Sequence, residues 1–173
     1  MSVYKFKDFS PQISKGVYLS DSAQVIGLCE LAENVNIWFN CVLRGDVNKI
    51  VIGQNTNVQD LSMLHVTEES DLIIGRNVSI GHSVTLHGCH IGDGCLIGMG
   101  STILDHAKIG EGSIVAAGSL VPPKKEFPKN VMIMGNPAKV VRELTPEEID
   151  RTTSHYKSYL GYAKEFIEHC HKI

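Results

Sequence analysis

IGDGCLIGMGSTILDHAKIGEGSIVAAGSLV, residues 91–121, carries an aliphatic side chain at every sixth position: Ile91, Ile97, Ile103, Ile109, Val115 and Val121. A helix of 3.6 residues per turn cannot hold that set on one face, and a flat strand would alternate every second residue. Short strands that turn a corner every six residues can. The aliphatic then fills a prism, and successive coils stack as a parallel β-helix. A second regularity agrees: the fourth residue after each aliphatic is small, at Cys95, Ser101, Ala107, Ser113 and Ser119, as a corner requires.

The pattern extends toward the N-terminus with three changes of register. A one-residue deletion precedes Ile91 and sets off Ile74, Ile80 and Leu86; a four-residue insertion sets off Ile52, Val58 and Leu64; a three-residue slip leads back to Leu43, Ile37, Leu31, Val25, Leu19 and Ile13. Eighteen hexads, three to a coil, predict about six coils spaced about 4.8 Å apart. The expected architecture is one all-β domain over 1–173, with a lead-in at 1–12 and the prism at 13–123. Pro122-Pro123 cannot donate to a ladder and ends the repeat. A connector at 124–144 leads to a C-terminal α-helix at 145–171. Its start is a capping box with proline at the first helical position, Thr145-Pro146-Glu147-Glu148. Ile149, Thr152, Tyr156, Tyr159, Ala163, Phe166 and Cys170 form the apolar stripe with which it lies along a prism.

Composition removes several function classes. The 173 residues are 43% hydrophobic and 20% charged, with sixteen basic and nineteen acidic side chains and a net charge of -3. The basic excess that phosphate-backbone binding needs is missing, so nucleic acid is not expected as a partner. The first residues lack a signal-peptide pattern and no apolar run approaches about 18 residues, so neither export nor a membrane is expected and the location is read as cytoplasmic. Five cysteines without a CxxC pair suggest reduced thiols.

Rotating the hexads through three faces puts those beginning at Leu43, Leu64 and Leu86 on one face of successive coils. Arg44, His65 and His87 follow directly and therefore stack. Two imidazoles on adjacent coils can share an ion at about 2.0 to 2.1 Å. His82 falls on a second face, as does Gln59 one coil below it, so His82 does not comfortably reach that ion within its own subunit. Packing the second face of one prism beside the first face of another supplies a third ligand, and threefold closure gives a homotrimer with three intersubunit sites. His90, His106, His155, His169 and His171 are read as solvated surface residues.

RGDVNKIVIGQNTNVQD, LHV, IGHSVTLHGCHIGDGCLIGMG and GNPAKVVREL together resemble the gamma-class carbonic anhydrases over nearly the whole chain. The resemblance implies a left-handed coil, a trimer, and His65, His82 and His87 as ligands of Zn²⁺, with Fe²⁺ or Co²⁺ able to occupy the same set. It implies that Arg44 and Asp46 are an interface pair and a candidate bicarbonate contact, that Asn57 and Gln59 orient hydroxide or substrate, and that Tyr159 approaches from the terminal helix. The implied reaction is reversible hydration of CO₂ to bicarbonate by metal-bound hydroxide. Two departures imply slow proton export: Val47 stands where the family carries a glutamate after RGD, and the acidic loop is only Thr67–Asp71, leaving Glu68 and Glu69 as candidate relays. The competing readings are a hexapeptide-repeat acyltransferase using acyl-CoA and a non-catalytic metal-stabilised scaffold.

Overall fold

In the computed structural model, which describes residues 2–172, the chain is a left-handed parallel β-helix of about seven turns followed by helix. The first face stacks Val42, Met63, Thr85, Thr102 and Leu120 in parallel register. The second stacks Tyr18, Asn36, Asn57, Ser79, Leu96, Ile114 and Met132. The third stacks Val51, Ile73, His90, Lys108 and Glu126. Inside the prism the hexad aliphatics form columns, among them Leu43, Leu64, Leu86, Ile103 and Val121, all fully buried.

The corners turn through left-handed backbone, which asparagine tolerates better than most residues because its short amide bonds locally. Asn34, Asn55 and Asn77 occupy it with φ of 59°, 62° and 59°. Their amides stack into a ladder, Asn34 Nδ2 donating to Asn55 Oδ1 at 3.2 Å and Asn55 Nδ2 to Asn77 Oδ1 at 2.9 Å. Small polar residues inside the corners satisfy themselves on neighbouring backbone, as Ser62 Oγ does by donating to Gly81 O at 3.0 Å. Val47, the fourth residue after Leu43 and expected to fill a corner as Val35, Val78 and Val84 do, is exposed instead. It lies in Val42–Ile52, a strand that rounds a corner without a turn and absorbs the three-residue slip. The bend is possible because Gly27 has φ +74° and a Cβ there would meet Gly45 O at 2.3 Å.

Stacking continues past Pro122-Pro123, because Pro123 falls in a turn where no ladder donor is required. Glu126–Phe127 and Val131–Gly135 add further rungs, and Ala138–Glu143 folds back antiparallel on the last. The opening segment also joins the sheet, Ser2–Tyr4 and Gln12–Ile13 both pairing with Gln24–Leu31. Ile13 is already the first residue of the six-residue count, and Phe127 and Ile133 carry the count on from Val121; only Ser2–Tyr4 and the antiparallel Ala138–Glu143 lie outside it.

The terminal helix is two helices, α1 (Pro146–Ser154) and α2 (Tyr156–His169), interrupted at His155. Among the described residues no helix is long and apolar enough to cross a membrane. Trp38 on the second face anchors α2, with ring centroids 5.0 Å from Phe166 and 5.7 Å from Tyr159. The capping box forms as written: Thr145 Oγ1 accepts from Glu148 N, and Glu148 accepts from Thr145 N. Arg142 grips Glu148 with two bonds of 2.7 and 2.8 Å. That grip, helped by the Thr145 amide, lowers the Glu148 pKa from 4.5 to about 2. A carboxyl depressed on folding stabilises above its unfolded value and stops doing so as pH falls through the folded one. Residues 146–154 are therefore expected to lose helical ¹³Cα shifts between about pH 4.5 and 2 while the prism keeps its own. Glu148→Gln should remove the larger part of that step, leaving the change that Glu147, also held below its usual range by its bonds to the backbone and Thr145, makes by itself.

Candidate metal centre

His65 and His87 end consecutive rungs of the first face and pair in register, with Arg44 one rung below. Two irregularities hold them there. Directly after His65-Val66 the inserted residues close on themselves, Thr67 bridging to Ser70, and Ser70 Oγ donates to Gly88 O at 2.5 Å. Beyond His87, Gly88 turns with φ +49°, and a Cβ there would meet Asp105 Oδ1 at 2.6 Å. Glycine thus lets Asp105 come up to the imidazole.

The nitrogens define the chemistry. His65 Nε2 is 3.0 Å from Asp46 Oδ1, and His87 Nδ1 is 2.6 Å from Asp105 Oδ1. A neutral imidazole has one N–H, and a carboxylate only accepts, so each ring gives its proton to its aspartate. His65 Nδ1 and His87 Nε2 are then left facing each other with lone pairs, 3.0 Å apart. Two lone pairs at that distance repel unless a cation lies between them. The spacing suits a metal, since donors about 2.0 to 2.1 Å from one ion stand about 3.0 to 3.4 Å apart. Carboxylates on the far nitrogens of metal-binding histidines fix the tautomer and raise ligand basicity. Asp46 is itself gripped by Arg44. Burial pushes the Asp46 carboxyl upward, but bonds from His65 and Arg44 more than offset this and hold it below the ordinary range.

His82 lies on the second face, one rung above Gln59, through the pairing of Ile80 with Val58. Its Nδ1 is 2.9 Å from Asp60 Oδ2, which leaves Nε2 as the nitrogen for a ligand on a side chain 41% exposed. Among the described residues no three His, Cys, Asp or Glu side chains form a group that could hold an ion. One chain supplies a pair and, elsewhere, a single.

Asn57 and Gln59 are buried on the second face, Gln59 Nε2 donating to Asn57 Oδ1 at 3.1 Å. Tyr159 packs on Trp38, and burial, then the nearby Asp60 charge, push its phenol pKa up. It therefore belongs to the His82–Asp60 side. Glu69 lines a cleft of about 500 Å³ on the third face with Asp71, His90 and His106. Glu68 is exposed, and its backbone oxygen accepts from Asn48 Nδ2. Asp46 is named from the sequence, though as a partner of Arg44 and not of His65; Asp60 and Asp105 were missed, although the register contains them: Asp60 follows Gln59, and Asp105 lies two residues past Ile103, which pairs with Leu86. A carboxylate partner alone does not mark a ligand, because His90 has one too, Asp71 at 2.8 Å.

A family model for the bacterial transferase hexapeptide (six repeats) matches residues 88–123. The chain is 48% identical over 147 residues to a carbonic anhydrase of Geobacillus kaustophilus, covering 85% of this chain and 81% of that one. It is 41% identical over 163 residues to the mitochondrial gamma carbonic anhydrase 2 of Arabidopsis thaliana, covering 91% of this chain but 59% of that one, so it spans less than two thirds of the plant protein. Among solved structures, a hexapeptide transferase family protein from Anaplasma phagocytophilum superposes with a TM-score of 0.92 at 36% identity, covering 95% of this chain and 98% of that one.

Proposed function

This chain belongs to the gamma carbonic anhydrase family of hexapeptide-repeat proteins, and from that premise we propose that it hydrates CO₂ reversibly to bicarbonate. The observation that carries this is the pair of opposed lone pairs on His65 and His87, each ring fixed by its own aspartate. His65 and His87 would hold a metal ion together with His82 of a neighbouring subunit in a homotrimer, the Asp60 contact keeping His82 in the matching tautomer. Such an ion, zinc or alternatively iron or cobalt, is a Lewis acid that brings the pKa of water to about 7.

The other residues act around it. Arg44 keeps Asp46 ionised and aligned on His65, and its exposed guanidinium is a contact for bicarbonate. Asn57 and Gln59 hold a fixed amide orientation beside Asp60, and Tyr159 covers that side. Glu68 and Glu69 are the carboxylates available to pass protons outward, in a short loop and without a glutamate at Val47. Proton export should then limit turnover, and added buffer should raise the rate.

The test is metal analysis of the purified protein followed by stopped-flow CO₂ hydration across a series of imidazole concentrations. One ion per subunit and a rate rising with imidazole are expected. An ion without turnover points to a scaffold. The transferase names on the matched family model and on the solved neighbour favour a second reading, acyl transfer from coenzyme A. Acetyl-CoA binding by metal-free protein would support it against hydration.

A further inference from the structure

The break between α1 and α2 delivers a side chain to the second face that the mechanism above leaves unused. His155 Nδ1 lies 3.0 Å from Ser79 Oγ. Ser79 Oγ accepts from Asn57 Nδ2 at 2.8 Å, and Asn57 Oδ1 accepts from Gln59 Nε2 at 3.1 Å. Ser79, Asn57 and Gln59 are 1%, 0% and 3% exposed, so water does not readily replace these partners.

Chemistry fixes the direction of this string. Asn57 Nδ2 also sits 3.4 Å from the backbone oxygen of Val78, which can only accept. Turning the Asn57 amide over would set oxygen against oxygen. Ser79 Oγ therefore accepts from Asn57; the hydroxyl keeps a second lone pair, but its own proton needs an acceptor in this buried place, and His155 Nδ1 is the one the structure brings to it, so Nδ1 offers the lone pair. Burial favours that neutral ring, lowering the His155 pKa. At the other end Gln59 has committed Nε2 to Asn57, so its Oε1 is turned away from the string. Gln59 directly precedes Asp60, which bonds His82.

We propose that His155 is a positioning residue: by accepting the Ser79 hydroxyl proton it reinforces the direction that the distant Val78 oxygen sets only weakly in the Ser79–Asn57–Gln59 string, and so leaves the Gln59 carbonyl oxygen, not its NH₂, free for the candidate site. The inference rests on the hydratase reading for its consequence but not for its geometry. A carbonyl oxygen can only accept, so the site selects an occupant that donates a proton at that point.

The experiment follows the Asn57 and Gln59 side-chain NH₂ resonances of the full-length protein by ¹⁵N NMR, with metal content and kcat measured in parallel. In His155→Ala both amides should lose their separate shifts and exchange with solvent at least about tenfold faster. Metal per subunit should not change, because the string contains none of the three ligands. His155→Gln, whose Oε1 can take the same proton, should restore amides and kcat together. Ser79→Ala cuts the string without touching the aromatic contacts of α2 and should reproduce the His155→Ala spectrum. Amides unchanged in either alanine variant, or unrestored by glutamine, overturn the proposal. A wild type that neither binds metal nor hydrates CO₂ would end the hydratase reading while the amide spectra still judged the string.

Discussion

Mixing His82→Ala subunits with His87→Ala subunits restores CO₂ hydration that neither variant has alone: this is the expected result if each site is divided between two chains. The His65–His87 pair and His82 stand on different faces, and no three candidate ligands gather within the described residues. A heterologous interface closed by threefold rotation brings the pair of one subunit to the single of the next. Either homotrimer then lacks one ligand at all three sites and should lose metal affinity and turnover by more than about 100-fold, the upper figure for losing only an outer-shell partner. In trimers reassembled at random from equal parts, a site is whole when a His82→Ala subunit supplies the pair and a His87→Ala subunit supplies His82. That combination arises at about a quarter of interfaces. Metal and activity should recover to that fraction. Reassembled trimers of mixed composition that recover neither would show that the ligands do not meet across an interface.

Much of this arrangement is legible from six-residue counting, because a prism repeats one local rule and the rule names the face of each residue. Stacking of Arg44, His65 and His87, and the separation of His82, follow from Leu43, Leu64, Leu86 and Ile80 alone. What the period cannot carry is whatever departs from it. The rungs after Pro123 keep the step of six, at Phe127 and Ile133, and it is the proline pair, read as a stop, that hides them; only the antiparallel return departs from the period. The helix break at His155 has no proline or glycine to announce it. Asp60 and Asp105 each lie two residues past a hexad aliphatic and Asp46 three past Leu43, while the histidines they meet stand one or two past theirs, so which imidazole each aspartate reaches is a property of the corners. Charge gave no clue either, since aspartates on a polar corner are ordinarily solvated.

Trp38→Ala should separate the helix from the prism. Trp38 follows Ile37, and where Ile37 points into the prism Trp38 points out, only 5% exposed beneath α2. Its ring meets Tyr18 at 5.3 Å, Phe166 at 5.0 Å and Tyr159 at 5.7 Å, and its Nε1 donates to buried Asn36 Oδ1 at 2.8 Å. Truncation removes the ring common to those three contacts and leaves the Asn36 oxygen without its donor. Loss of a buried Trp costs about 3–5 kcal/mol. Because the coil interior keeps every aliphatic column, most of that cost should fall on docking of α2 and little on the prism. A local loss of about 4 kcal/mol accelerates exchange of protected amides on the order of a thousandfold. Hydrogen exchange should therefore show residues 156–169 losing protection while Leu64, Leu86 and Ile103 keep theirs. Metal content should persist, since His65, His87 and His82 are held by aspartates rather than by the helix, and turnover should fall as Tyr159 and His155 leave the second face. Uniform destabilisation of prism and helix together would instead make them one cooperative unit, with Trp38 serving the whole rather than the helix.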